Sequence, residues 1–147
     1  MKRFALYLVS LTSAVAWGQE VCTRNPTQTD VCRVATTISE TIAQELPIRL
    51  NQSLVLEHIG ASENLITMRA VFDYTEARLI DASKTGVTLE NMKMSVRETA
   101  TVIACRPKTE LRAFIDLGGK LQFVYLFSDK AHFLTGNVHH CTSEHAD

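Results

Sequence analysis

The sequence predicts a two-layer α+β domain in which helices pack on one face of a single antiparallel sheet of four strands. Apolar residues recur at steps of three and four in two long segments, as they do in amphipathic helices. In two further pairs of segments they alternate with polar residues, as in strands that bury one face. The predicted order is helix, strand, strand, helix, short helix, strand, strand, with no internal sequence repeat.

The first helix is expected to begin at Thr29 or Asp30, because either side chain can cap a helix N-terminus. It should end before Pro47, which cannot continue a helix. Its apolar stripe consists of Val31, Val34, Ala35, Ile38, Ile42 and Leu46.

The first hairpin follows Pro47, where the apolar period changes to two. One strand is predicted over residues 48–57, with Gln52 interrupting its apolar face. Residues 60–64 have the composition of a hairpin loop, so the next strand should pair with the first in antiparallel fashion. The second strand's buried face is predicted to consist of Ile66, Met68, Ala70, Phe72 and Tyr74.

The second half repeats this order after a polar loop over residues 81–86. Thr88 can cap a long helix that ends at Cys105, and a shorter helix over residues 109–117 should stop at Gly118-Gly119. The long helix has the stripe Leu89, Met92, Val96, Ala100 and Ile103, and the shorter one packs through Leu111, Phe114 and Ile115. A final hairpin turns at residues 128–130 and ends near residue 140, with Leu121, Phe123, Tyr125 and Phe127 on one face of its first strand.

Residues 1–18 are typical of a secretory signal peptide: Lys2 and Arg3 precede an apolar run, and small residues come before Gln19. The remainder divides into an extended arm over residues 19–30, one domain over residues 31–141 and a loose tail over residues 142–147. About 129 residues are enough for one domain with a core. The protein is therefore expected to be exported, to the periplasm or beyond it.

The charge of the mature chain excludes one class of partner. The sequence has 15 basic and 16 acidic residues, and losing Lys2 and Arg3 with the leader leaves 13 against 16, a net charge of −3. Nucleic-acid binding requires a concentrated basic surface. No later apolar run approaches the roughly 20 residues of a membrane helix. We therefore expect no nucleic-acid partner and no membrane insertion after cleavage.

The four cysteines, Cys22, Cys32, Cys105 and Cys141, are expected to form structural disulfides in an oxidising compartment. Three pairings are possible. The favoured one joins Cys105, at the end of the long helix, to Cys141, at the end of the last strand, and joins Cys22 to Cys32. Glu20 and Val21 do not fit a lipoprotein signal, so Cys22 is interpreted as a disulfide partner and not as an acylated residue.

Metal-type ligands cluster only at His139, His140 and Cys141, with Glu144 and His145 following. Neighbouring residues of a strand point to opposite faces, and an oxidised cysteine is no thiolate, so convergence on zinc is not expected. The sequence has no nucleophile elbow, no HExxH, no phosphate-binding loop and no dinucleotide fingerprint. We therefore expect no catalytic residue, no metal ligand and no cofactor.

The stretch from Leu46 to Cys141 resembles the quorum-sensing-regulated virulence factor family of small exported gammaproteobacterial proteins. The matching elements are Leu46-Pro47, Ala61-Ser62-Glu63-Asn64-Leu65, Cys105, Gly118-Gly119-Lys120-Leu121 and Phe123-Val124-Tyr125. That family is similar in architecture to one class of type II secretion pilotins, which are periplasmic lipoproteins that bind a secretin's C-terminal helix. The resemblance implies no catalytic residues, and this chain departs from those pilotins because it lacks their lipoprotein signal.

The leading hypothesis is a non-enzymatic exported accessory protein, related to secretion or virulence, that binds another envelope or secreted protein in a groove or along a sheet edge. A small secreted hydrolase or hydrolase inhibitor is the alternative, and it would need a pocket that combines a histidine, a carboxylate and a hydroxyl. A purely structural envelope protein would have no cleft.

Overall fold

The computed structural model describes residues 19–82, 86 and 88–142. The predicted α+β class is confirmed within these ranges. The helices are α1 (Gln19–Thr23), α2 (Val31–Ala43), α3 (Glu76–Ala82), α4 (Leu89–Ala104) and α5 (Glu110–Asp116). The strands are β1 (Ile48–Asn51), β2 (Leu54–Ser62), β3 (Leu65–Phe72), β4 (Lys120–Leu126) and β5 (His132–Val138). The predicted signal peptide and residues 143–147 of the predicted tail lie outside the described residues.

The sheet differs from the prediction of four antiparallel strands, since it has five strands and is mixed. The spatial order is β1-β2-β3-β4-β5, and β3 pairs with β4 in parallel, Leu65 opposite Lys120. Residues 73–119 carry the chain back to the end of the sheet where β3 begins. A parallel pair requires a long crossover of this kind, whereas a tight turn joins only antiparallel strands. The two hairpins therefore lie side by side in one sheet, related by a parallel junction.

The extra strand arises because the predicted first strand is divided by a turn at residues 51–53. The side-chain oxygen of Asn51 accepts a hydrogen bond of 2.8 Å from the backbone N–H of Ser53, an arrangement by which asparagine favours turns. The guanidinium of Arg49 donates to the carbonyl of Gln52 at 2.9 Å. The polar residue that interrupts the alternation at position 52 thus marks a turn within the predicted strand.

Two short helices lie where none was predicted. Residues 19–23, predicted as part of an extended arm, form α1, which packs against α2. Helix α3 follows Thr75, whose hydroxyl accepts a hydrogen bond of 3.4 Å from the backbone N–H of Arg78. None of the helices in the described part of the chain has both the length and the apolarity that crossing a bilayer requires.

Helices α2, α4 and α5 each begin at a polar capping residue. Asp30, Thr88 and Thr109 each accept, through a side-chain oxygen, a hydrogen bond from the backbone N–H three residues further on. These bonds satisfy donors that would otherwise lack a partner at the helix start. The capping roles predicted for Asp30 and Thr88 are confirmed.

One hydrophobic core joins the helices to the sheet. Helix α2 packs on β2 and β3, α4 on β5, and α5 on β4. Between α2 and α4 the middle strands β3 and β4 are left partly uncovered. The sheet contributes the buried residues Leu54, Leu56, Ile59, Ile66, Met68, Ala70, Phe72, Leu121, Phe123, Tyr125, Phe133, Leu134 and Val138.

A glycine pair ends α5 and fixes the start of β4. The N–H of Gly118 donates to the carbonyl of Ile115, and the N–H of Gly119 to that of Phe114, the two bonds of a Schellman motif. Gly118 has a φ of 92°, in the left-handed region that glycine tolerates. Asn64, in the β2–β3 turn, donates to the carbonyl of Gly118 at 2.9 Å. This bond ties the hairpin turn to the strand that pairs with it in parallel.

Replacing Ser39 with alanine is expected to raise the free energy of unfolding by about 1 kcal/mol. The side chain of Ser39, in α2, is only 5% exposed, and its hydroxyl has no hydrogen-bond partner among the described residues. Alanine removes the desolvated hydroxyl and favours the helix. Chemical denaturation measures the change. Thr41→Ala is the control, because Thr41 is exposed on the same helix and its hydroxyl is bonded to the carbonyl of Thr37. A loss of stability in Ser39→Ala alone would contradict the assignment.

Candidate binding groove

Two disulfides hold the helices that frame the candidate site. Cys105, which caps the C-terminal end of α4, is bonded to Cys141 just beyond β5, with their Cα atoms 5.5 Å apart. Cys22 in α1 is bonded to Cys32 in the first turn of α2. This is the pairing that the sequence analysis favours. The first bond fixes α4 to the sheet edge, and the second holds α1 against α2.

The apolar groove, as we call it, lies over the sheet between α2 and α4 and has a volume of about 240 Å³. Its floor is formed by β2, β3 and β4, and its walls by the end of α2, by β1, and by α4 and α5. The lining side chains are almost all hydrocarbon. They are Ile42, Ile48, Leu50, Leu56, Met68, Ala70, Ala100, Ile103, Leu111, Phe123, Val124 and Tyr125.

Two large apolar side chains line the groove while remaining half exposed. Leu50 on β1 is 52% exposed, and Ile103 on α4 is 48% exposed. Single exposed apolar residues are common on protein surfaces. Here they adjoin an open apolar cavity, and a continuous apolar surface of this kind marks an interaction site.

Tyr125 contributes the only hydroxyl among the residues that line the groove. Its ring lies in the core, 6.2 Å from that of Phe72 between centroids. Burial raises the pKa of Tyr125 above its ordinary value, so its hydroxyl stays protonated at physiological pH and can donate a hydrogen bond. No carboxylate and no histidine lines the groove. The groove is thus suited to holding apolar side chains.

A second cleft, of about 230 Å³, lies beside α3. It combines the carboxyl of Asp73 with the hydroxyls of Ser53 and Tyr74 and with Arg78. It contains no histidine, which the hydrolase alternative requires as a base beside the hydroxyl. Neither the groove nor this cleft therefore assembles the constellation that the alternative needs.

The metal-type ligands near the chain end, for which the sequence analysis expects no convergence on zinc, form no metal-type group within the described residues. His139 and His140 follow β5 and are exposed, and Cys141 is oxidised. Glu144 and His145 lie outside the described residues. In the described ranges, one group of metal-type ligands does converge, that of Cys22, Asp30 and Cys32, with ligand atoms within 4.8 Å. Both sulfurs there form a disulfide and so offer no thiolate.

Comparison with known proteins shows likeness in structure alone. The chain matches no protein-family model and no curated protein. The pilotin EpsS of the Vibrio vulnificus type 2 secretion system is similar, with a TM-score of 0.58 and 17% identity over 80% of this chain and 92% of that one. The type II secretion pilotin AspS of Vibrio cholerae has a TM-score of 0.57 and 17% identity over 86% and 95%.

A third similar structure is that of a Pseudomonas aeruginosa protein inferred to be secreted, with a TM-score of 0.51 and 14% identity over 74% of this chain and 91% of that one. At such identities the likeness shows the fold. The expected pilotin-like architecture is confirmed, whereas no match supports membership of the quorum-sensing-regulated virulence factor family.

Proposed function

We propose that this protein is an exported, non-enzymatic accessory protein of secretion that binds an apolar segment of an envelope protein in the apolar groove. The observation that carries the proposal is the pair of half-exposed side chains, Leu50 and Ile103, that adjoin an open apolar cavity. The fold of two pilotins supports the link to secretion. The two disulfides support export, because such bonds persist in oxidising compartments.

The size of the groove favours side chains of a larger partner over a free small molecule. Pockets for drug-sized ligands range from about 300 to 1,000 Å³, and this groove has about 240 Å³. Interfaces concentrate their energy in a few buried anchors that enter such pockets. An amphipathic helix laid between α2 and α4 would present anchors at helical spacing, a common mode of peptide recognition.

Replacing Ile103 with glutamate is expected to weaken binding of the partner by tenfold or more, because a charge would enter the apolar surface. Val102→Glu is the matched control. Val102 is the preceding residue of α4, is 50% exposed, and does not line the groove. We expect it to change affinity by less than about twofold, since surface substitutions outside an interface have small effects. Thermal melts of both variants would establish that the fold is intact.

The partner can be found by placing a photo-crosslinking amino acid at position 50 or 103 in cells that express the protein naturally. The proposal expects one envelope protein to be captured from both positions and not from position 102. Its purified segment then serves for the affinity measurements. Equal capture from positions 102 and 103, or unaltered affinity in Ile103→Glu, would contradict binding in the groove.

A further inference from the structure

A separate cleft lies on the other side of α4, between that helix and the edge strand β5. Its volume is about 330 Å³, and we name it the Arg97 cleft. It touches the apolar groove only at Ala100 and Phe123, which line both cavities. Its other lining residues are Arg97, Thr101, Thr135, Gly136, Asn137 and Val138.

The cleft holds a positive charge without a matching negative one. Within the described part of the chain, the guanidinium of Arg97 makes no ion pair and no hydrogen bond. No carboxylate lines the cleft. Lys93, one turn earlier on α4, is already paired with Glu90 at 3.1 Å. The arginine is therefore available to an external anion.

The floor of the cleft is formed by β5 and leaves open space beside the arginine. The side chain of Asn137 points to the opposite face of the sheet from Gly136, where its oxygen accepts a hydrogen bond of 3.2 Å from Gln122. Asn137 therefore lines the cleft through its backbone. Gly136 adds no side chain to the floor, and a Cβ atom there would lie 3.9 Å from Cγ of Arg97. A guanidinium with no carboxylate partner beside an open cleft is suited to the oxygens of an anion.

We propose that the Arg97 cleft binds an oxyanion, a carboxylate or phosphate group carried by a small molecule. The planar fork of arginine donates two parallel hydrogen bonds to such groups. The cleft exceeds the size of a bare ion, so the group would belong to a larger organic acid or phosphate ester. This site does not depend on the proposed function of the apolar groove.

The test uses the oxidised chain without residues 1–18 and follows backbone and arginine side-chain N–H signals by NMR. It is titrated separately with inorganic phosphate and with acetate, at constant ionic strength maintained with chloride. Saturable shifts at Gly136, Asn137 and the side chain of Arg97 support the proposal, and the anion that produces them identifies the group. If neither anion produces saturable shifts at these positions, the proposal is overturned.

Two variants distinguish anion binding in the Arg97 cleft from a general effect of the protein's charge. Arg97→Gln is expected to weaken anion binding roughly tenfold, the effect of losing a charge-assisted hydrogen bond. Arg33→Gln removes the same charge from an exposed position on α2 and should leave binding within about twofold. Equal weakening in both variants would overturn the proposal. Ile103→Glu should leave anion binding unchanged, so failure of the groove and failure of this cleft are distinguishable.

Discussion

Replacing Gly119 with alanine is expected to lower the free energy of unfolding by about 3 kcal/mol, the upper range for overpacking a core. A Cβ atom at this position would lie far inside contact distance of three atoms of the Phe114 ring. That ring is fully buried and belongs to the core, so it has no solvent-facing space into which to move. The cost is steric, because Gly119, unlike Gly118, is not in the left-handed region.

Thermal and chemical denaturation of Gly119→Ala would measure this loss. Gly136→Ala is the matched control, since its new methyl group would meet only Cγ of Arg97 at 3.9 Å. Gly118→Ala is an intermediate case, expected to cost about 1 kcal/mol through its backbone conformation. A melting temperature for Gly119→Ala equal to that of Gly136→Ala would contradict the steric argument.

A second substitution tests whether the Phe114 ring causes the loss of stability in Gly119→Ala. In Phe114→Leu the side chain is smaller, so the alanine at position 119 should find space. The double variant is then expected to lose less free energy of unfolding than the two single variants lose together, because residues in direct contact couple. Additive losses would show that the damage at position 119 has another origin.

Local signals were sufficient to predict α2, α4 and α5. Asp30 and Thr88 are capping residues followed by apolar stripes, and Gly118-Gly119 supplies a stop that the structure realises as a Schellman motif. Each signal acts over a few residues and needs no knowledge of the rest of the chain. Of the two unpredicted helices, α3 follows the capping residue Thr75 but has no buried residue. Helix α1 is five residues long and depends on a disulfide to another helix.

The parallel junction could not be predicted in the same way. The alternation in β3 and β4 shows which face each strand buries, but it contains nothing about the direction of a neighbouring strand. The contacts that fix the pairing are distant in sequence. Lys120 donates from its backbone to the carbonyl of Asn64 at 2.8 Å, and Asn64 bonds in turn to Gly118.

The segments that carry the sequence resemblance prove to be neighbours in space. Asn64 belongs to the Ala61–Leu65 segment and Gly118 to the Gly118–Leu121 segment, and their hydrogen bond joins the two. These residues therefore serve the architecture.

The groove could not be predicted from the sequence for a related reason. Leu50 and Ile103 lie on the predicted apolar faces of a strand and a helix, and such patterns predict burial. Both residues are half exposed, and they lie where α2 and α4 pack over different strands and leave β3 and β4 partly uncovered between them. The separation of two helices is a property of tertiary packing. The Arg97 cleft depends on the same helix, on its opposite side.

Removing the Cys105–Cys141 disulfide is expected to destabilise the protein by about 4 kcal/mol, against about 3 kcal/mol for Cys22–Cys32. These values follow from the loop-entropy model for sequence separations of 36 and 10 residues. Cys105 is also only 2% exposed, so its sulfur contributes to core packing, whereas both sulfurs of the other bond are partly exposed. The variants to compare are the alanine pairs Cys105→Ala with Cys141→Ala and Cys22→Ala with Cys32→Ala. Alanine is used in place of serine because serine would bury a new hydroxyl.

The two disulfides should also differ in what they do for binding. The Cys105–Cys141 bond fixes the end of α4, and α4 forms a wall of both the apolar groove and the Arg97 cleft. Its loss should therefore weaken binding at both sites, even at temperatures where the variant remains folded by circular dichroism. Loss of Cys22–Cys32 releases only α1, which lines neither cavity, so both affinities should be retained. If the two double variants lost binding equally while folded, α4 would not be the element that positions these sites.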